Sequence, residues 1–303
     1  TGRGHGYAMS AAASRITPLG ALSLRWNGLS SIQQIKTLDD ALKGSDEALA
    51  RFADKLARIH EAIKQAPRQF LLIGEEDAQA ELTQTMAAQW QNAPAVNADF
   101  QAFALPTPEA GLVRQAWQTS TQVNFCAKAY TAVPSSHADT PAFMVLGGFL
   151  RNGFLHRAIR EQGGAYGAGA GYDADSGAFR FFSYRDPRLE GTLEDFDNSI
   201  AWLLEKDHPA RELEEAILGV ISGIDQPGSQ AGEARDAFFS NLHGRTPEIR
   251  RDLRSRILGV TMGDLKRVGE KYLNPENANI AVISDAATLE KQAEALRLEI
   301  RQV

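Results

Sequence analysis

Apolar residues recur at two different periods along the chain, and each change of period marks a boundary. Leu49, Phe52, Leu56, Ile59 and Ile63 stand three or four apart, which places them on one face of a helix. Ser45 is a good N-cap for it, and Asp46 and Glu47 put negative charge in its first turn, where the helix dipole favours it. Ahead of this helix, residues 10–35 are rich in Ala and Ser and read as helical turns around Pro18 and Gly20. After it, Pro67 punctuates. Phe70, Leu71, Leu72 and Ile73 then read as a short apolar strand ended by Gly74, and a second helix follows with Leu82, Met86 and Trp90 inward. Residues 92–111 carry Pro94, Pro106 and Pro108 without a sustained period and read as an interdomain linker.

Beyond the linker the period shortens to two. Val123, Phe125, Ala127 and Ala129 alternate with Gln122, Asn124 and Lys128, the pattern of a half-buried strand over 121–130. Thr140 and Pro141 open a helix, with the Thr hydroxyl as cap and the proline in the first turn. That helical region runs to Glu161, with Gly153 as the place for a break, and Gly163 and Gly164 stop it. Strands over 165–173 and 178–185 follow, joined by a turn containing Asp175, Ser176 and Gly177, a hairpin signature. Four or five helices come next. Thr192-x-x-Asp195 and Thr261-x-x-Asp264 resemble capping boxes, and Thr246-Pro247 is another cap-plus-proline start. An apolar strand over 279–284 leads to Asp285, the cap of a last helix with Leu289, Ala293 and Leu296 inward.

Helix, apolar strand, helix thus occurs at 46–91 and again at 261–299, with the strands 210 residues apart. Read as a repeat, residues 1–91 are the tail of one αβ domain, 92–111 the linker, and 112–303 a complete C-terminal αβ domain. The tail has one obvious strand, and one strand cannot make a sheet, so its partner strands lie elsewhere or the tail packs on something else.

Composition narrows the function classes. A net charge of −6 argues against general nucleic-acid affinity, which needs clustered Lys and Arg. Arg245, Arg250, Arg251, Arg254 and Arg256 look basic at first sight. Ile249, Leu253 and Ile257 give that helix an ordinary buried stripe, and Glu248 and Asp252 dilute its charge. No window of eighteen apolar residues predicts a membrane span. Cys126 is the single cysteine, so no intrachain disulfide forms, which suits a reducing compartment. Residues 1–6 lack both an initiator Met and an apolar signal core and read as the middle of something longer.

Several chemistries lack their residues. His5, His60, His137, His156, His208 and His243 include no pair with H-E-x-x-H or H-x-x-E-H spacing, and one cysteine cannot build a thiolate zinc site. No Gly-x-Ser-x-Gly elbow supports a serine hydrolase. Gly167-x-Gly169-x-Gly171 is not a dinucleotide loop, because a helix precedes it and a strand follows. As a strand, it puts the three glycines on one face and Tyr166, Ala168, Ala170 and Tyr172 on the other. Glycine inside a strand invites close approach of another backbone, either a packed helix or an extended peptide lying alongside. Arg160 at the helix end and Tyr166 past the glycines are placed to reach such a peptide. Arg185 and Asp186 read as a structural turn or ion pair, or as part of a substrate chamber lining.

Three stretches carry a more specific likeness: Gly4-His5-Gly6-Tyr7-Ala8, Ile159-Arg160-Glu161-Gln162-Gly163-Gly164-Ala165-Tyr166-Gly167, and Phe182-Ser183-Tyr184-Arg185-Asp186-Pro187. In them the chain resembles the C-terminal part of zinc metallopeptidases of the pitrilysin/insulinase clan, nearest the presequence-protease subgroup. The resemblance implies an α+β fold of layered αβ domains, with a mostly antiparallel sheet packed by helices, as in the LuxS/pitrilysin-like metallopeptidases. It implies a clamshell of two halves, the N-terminal one holding zinc through H-x-x-E-H and a distal Glu, and residues 112–303 as the fourth domain. It assigns Tyr166 to the scissile carbonyl or oxyanion and Arg160, Gly163, Gly164 and Gly167 to substrate binding, with no metal ligand here. The implied partners are an unfolded peptide and the N-terminal half of the same enzyme, with neither nucleic acid nor membrane. The implied location is the cytoplasm of a bacterium or an organelle matrix of a eukaryote. The competing expectation is a non-catalytic peptide-binding or scaffold subunit of the same clan.

Overall fold

The computed structural model describes residues 2–66, 68–91 and 103–303. In chain order its helices are α1 (Gly4–Ala13), α2 (Pro18–Asn27), α3 (Leu29–Lys43), α4 (Asp46–Lys64), α5 (Gln79–Trp90), α6 (Thr140–Leu150), α7 (Glu190–Glu205), α8 (Ala210–Asp225), α9 (Gln230–Leu242), α10 (Pro247–Leu258), α11 (Met262–Tyr272) and α12 (Ala286–Gln292). The strands are β1 (Arg114–Gln118), β2 (Phe125–Thr131), β3 (Gly167–Asp173), β4 (Ala178–Tyr184), β5 (Asn279–Ser284) and β6 (Glu299–Gln302). A π-helical stretch, Arg151–Gln162, continues directly from α6.

Two compact units emerge. One comprises Thr1–Gln34, Leu105–Asp225 and Arg251–Val303; the other comprises Ile35–Ala104 and Gln226–Arg250. This partition cuts across the 1–91 boundary drawn from the sequence, because α1 lies on the sheet of the first unit. The linker expectation falls mostly on residues 92–102, outside the described residues; 103–111 form no helix or strand.

The first unit is built on a six-stranded sheet in the order β3-β4-β2-β5-β1-β6. The pairs β3–β4, β4–β2 and β2–β5 are antiparallel, while β5–β1 and β1–β6 are parallel. The sheet is therefore mostly antiparallel, as expected for this α+β class. One face packs α6, the π-helical stretch, α7 and α12, and burying Cys126, Tyr130, Phe179, Phe181 and Val282 makes the larger core. The other face seats α1 through Ala8, Ala11, Ala12 and Ala13 against Trp117, Phe125, Ala127, Ala281 and Ile283.

Cover on both faces corrects the reading of β2 as half-buried, for α7 lies over the face that carries Lys128. Six of its seven residues are buried, Lys128 among them. Lys128 Nζ pairs with Asp197 Oδ2 on α7 at 2.6 Å. Desolvation holds its pKa below that of ordinary lysine. A charge can sit there because its partner is supplied from the covering helix.

Other local expectations divide. Thr261 and Asp264 form the capping box, Ser45 accepts from the Ala48 amide, and Asp285 accepts from Thr288 N. Thr192 instead lies inside α7 and donates to Asp186, while Asp195 binds Arg188. At α6 the cap position belongs to Asp139, and Thr140 Oγ1 donates to the Pro134 carbonyl. In the second unit, residues 70–73 belong to no helix and join no ladder among the described residues, which corrects the strand read there; an apolar run makes a strand only where another strand meets it. The apolar stripe of α4 is exposed at Leu49, Leu56, Ile59 and Ile63.

Candidate functional site

The candidate site forms where the π-helical stretch ends. Its wider i→i+5 turns are rare, and such turns concentrate at functional sites. Leu155 and Ile159 anchor it in the core while His156, Arg157, Arg160 and Glu161 face outward. The stretch terminates at the double glycine: Gly164 N donates to Arg160 O at 3.1 Å and Ala165 N to Ile159 O at 3.1 Å. Gly164 has φ +79°, a left-handed conformation that glycine adopts without a Cβ clash. Gly163 is buried under Arg188, whose guanidinium would lie 2.0 Å from a Cβ there. That guanidinium reaches Asp195 Oδ2 at 2.8 Å.

On either side of this turn stand the two predicted side chains. Arg160 is exposed; its Nη1 lies 3.4 Å from His156 Nε2, and among the described residues it has no ion-pair partner. His156 in turn approaches Glu161 at 3.3 Å. Tyr166 is 69% exposed, and its hydroxyl has no hydrogen-bond partner among the described residues. Its amide donates to Arg185 O at 3.3 Å.

Gly167 then opens β3, one of the two edge strands of the described sheet, with open space where a Cβ would be. Gly171 is open likewise, whereas Gly169 lies against the Phe182 ring. On the opposite face the close approach is made from the helix: a Cβ on Gly147 of α6 would come within 2.8 Å of Ala170 O. Both sequence readings of the glycines thus have a counterpart. A helix packs tightly on β3 through its own glycine, and the outer face of the strand is open at Gly167 and Gly171 while Phe182 covers it at Gly169.

The stretch at the end of β4 lies beside this turn, in register through Gly167 and Tyr184. The Tyr184 ring meets Tyr166 edge-on at 5.6 Å, His5 at 5.0 Å and Phe125 at 5.8 Å. Arg185 is one of the few non-glycine residues with positive φ, at 50°, and its guanidinium lies 5.6 Å from the Tyr184 ring centre. The following residue locks the turn. Asp186 is fully buried, exchanges backbone hydrogen bonds with Asn124, and accepts from Arg188 N at 3.0 Å and Thr192 Oγ1 at 2.7 Å. Arg185–Asp186 is therefore a structural turn and not an internal ion pair. Burial raises the Asp186 carboxyl above the usual aspartate range despite these donors.

Helix α1 supplies the third stretch. Gly4 lies on the Phe125 ring, and His5 reaches Phe182 and Tyr184. The three resembling stretches, far apart in sequence, thus meet in space. Taken singly, His5, Phe182 and Tyr184 carry no functional signal in the sequence; what marks them is their place inside those stretches. Among the described residues no group of three or more His, Cys, Asp or Glu could hold a metal ion, so zinc does not fit this donor set.

Comparison with known proteins places the arrangement. Residues 114–285 match the model of the PreP C-terminal domain. A mitochondrial presequence protease of Yarrowia lipolytica is 33% identical over 285 residues, covering 92% of this chain and 28% of that protein. The chain thus spans under a third of the length of the curated relatives it matches. Among solved structures, the M16 peptidase inactive domain from Pseudomonas fluorescens superposes with TM-score 0.52 at 17% identity, over 69% of this chain and 51% of that one. Pitrilysin gives TM-score 0.50 at 14% identity, over 74% of this chain and 25% of its own. The family model covers more than half of the chain, and the chain belongs to the PreP C-terminal domain family of the presequence proteases.

Proposed function

We propose that this chain is the substrate-binding C-terminal part of a zinc-dependent endopeptidase that degrades unfolded oligopeptides in a closed chamber. The observation that carries the reading is the pairing of an exposed Arg160, without an ion-pair partner among the described residues, with an exposed Tyr166 across the double-glycine turn, beside an edge strand. An edge strand offers unpaired amides and carbonyls to an extended peptide, and glycines there let its backbone come close. Arg160 binds a peptide carbonyl or carboxylate through its planar fork. Tyr166, whose hydroxyl is uncommitted, donates to the oxyanion that develops at the scissile carbonyl, where a preorganised donor is worth roughly 10²–10³ in rate. Gly163 and Gly164 shape the turn that separates the two side chains, and Gly167 keeps the peptide's path clear.

The zinc of this enzyme class belongs, in this reading, to an N-terminal half that this chain does not contain. Dividing the groups between two halves makes turnover depend on closure, which excludes water and folded proteins. The relatives are mitochondrial by name, which supports an organelle matrix. Among the described residues no helix is long and apolar enough to cross a membrane. The segment 92–111 is retained as the connector between domains on the strength of its three prolines. A purely scaffolding subunit has no use for both exposed side chains. Peptide cleavage by the full-length enzyme carrying Arg160 or Tyr166 variants separates the two readings.

A further inference from the structure

Tyr166 presents a problem of orientation. Its side chain is largely exposed and its hydroxyl has no partner among the described residues, yet a group that donates to a developing charge must be held within about half an ångström of its working position. The one aromatic ring it meets among the described residues is that of Tyr184, edge-on with the planes at 78°. Tyr184 is itself gripped on several sides. Phe125, fully buried in the sheet core, meets it at 5.8 Å; His5 of α1 meets it at 5.0 Å and 77°; the Arg185 guanidinium stands 5.6 Å from its ring. Edge-on aromatic pairs at these distances are attractive and set the angle between rings.

The backbone is fixed at the same point. Tyr166 N donates to Arg185 O, and Arg185 holds a left-handed conformation that its side chain disfavours. The buried Asp186 anchor maintains it. Strain kept in place by such an anchor calls for a use. Here it lays the Arg185 guanidinium back toward the ring that Tyr166 leans on.

We propose that Tyr184 is a positioning residue: its ring, held by Phe125, His5 and Arg185, sets the orientation of Tyr166 for the reaction. The proposal rests on the role of Tyr166 given above. It assigns to the Phe182–Pro187 stretch a task in turnover, with no contact of its own to the peptide.

The test is steady-state peptide cleavage by the full-length enzyme, with thermal melts alongside. Tyr184→Leu lowers kcat roughly three- to tenfold, the range of one aromatic pair, and leaves KM near wild type. Tyr184→Phe keeps wild-type kcat, because the ring makes the contacts. Tyr184→Leu in the Tyr166→Phe background adds no further loss, since both act through one hydroxyl. Should the leucine variant not fold, Tyr184→Met fills the same space against Phe125 without a ring and is read in the same way. Wild-type kcat for the ring-less variant beside an impaired Tyr166→Phe overturns the positioning role and leaves that of Tyr166 standing. Fully additive losses overturn it too. Wild-type kcat for Tyr166→Phe removes the parent reading and this proposal with it.

Discussion

Gly4 lies so close to Phe125 that a Cβ on the glycine would stand 2.6 Å from two carbons of the ring. Phe125 is fully buried and cannot swing aside into solvent. Gly4→Ala should therefore cost about 1–3 kcal/mol of stability, the usual range for overpacking. Gly6, one residue past His5 on the same helix, has nothing within 4 Å of a would-be Cβ. Gly6→Ala should be neutral or gain up to about 1 kcal/mol from helix propensity. Denaturant unfolding of both variants checks the contrast, and equal effects would mean that α1 is not seated on Phe125.

Two buried aspartates should give opposite pH signatures. Burial raises the Asp186 carboxyl, so the folded state holds its proton more tightly than the unfolded chain. Stability from this group then falls as pH rises from the ordinary aspartate range through the raised value. Asn fits the same donors, because its oxygen can accept from Arg188 N while the Thr192 hydroxyl turns to accept from its amide. The melting temperature of Asp186→Asn relative to wild type should accordingly rise from about pH 4 toward neutrality. For Asp139, burial pushes the carboxyl up, but hydrogen bonds from Tyr272 and Arg267 outweigh this and lower it. Its contribution is present above the ordinary range and lost as pH falls through the depressed value. Asp139→Asn should be less stable than wild type at neutral pH, with the gap closing in acid. Melts between pH 3 and 8 resolve both signs.

The chain by itself should hold no zinc and cut no peptide, given that its described residues bring together no ligand set. Metal analysis after dialysis, with a peptide cleavage assay, checks this. Stoichiometric zinc together with chelator-sensitive cleavage would contradict it.

Arg160 makes no ion pair among the described residues, so Arg160→Ala should leave the melting temperature nearly unchanged. In the full-length enzyme it should raise KM about tenfold or more, the worth of a charge-assisted hydrogen bond to the peptide. A lowered melting temperature with unchanged KM would assign Arg160 to the fold instead.

How far the sequence discloses this molecule depends on how local each signal is. β5 and the Asp285 cap are legible because an apolar run and its cap sit within seven residues. β1 is not: Arg114, Gln115 and Gln118 read as polar, yet Gln115 is buried between two parallel neighbours. The burial of Lys128 depends on Asp197, 69 residues away on α7, and the opposite face of β2 is covered by α1, whose small residues give almost no amphipathic contrast. The widened turns of Arg151–Gln162 leave no trace in a pattern read at 3.6 residues per turn. The site follows the same rule. Arg160, Gly163, Gly164 and Tyr166 form one continuous stretch and are legible together, whereas His5 and Tyr184 join them only through the sheet.

Donation by Tyr166 to charge that appears during the reaction stands or falls on a single substitution. Tyr166→Phe removes only a hydroxyl that has no hydrogen-bond partner among the described residues, so stability should barely move. An interaction made mainly in the transition state lowers kcat and leaves KM alone. Steady-state kinetics of the full-length Tyr166→Phe enzyme on an unfolded peptide should show kcat down roughly 10²-fold or more at nearly unchanged KM. Wild-type kcat in that variant would mean that the Tyr166 hydroxyl donates nothing to the transition state.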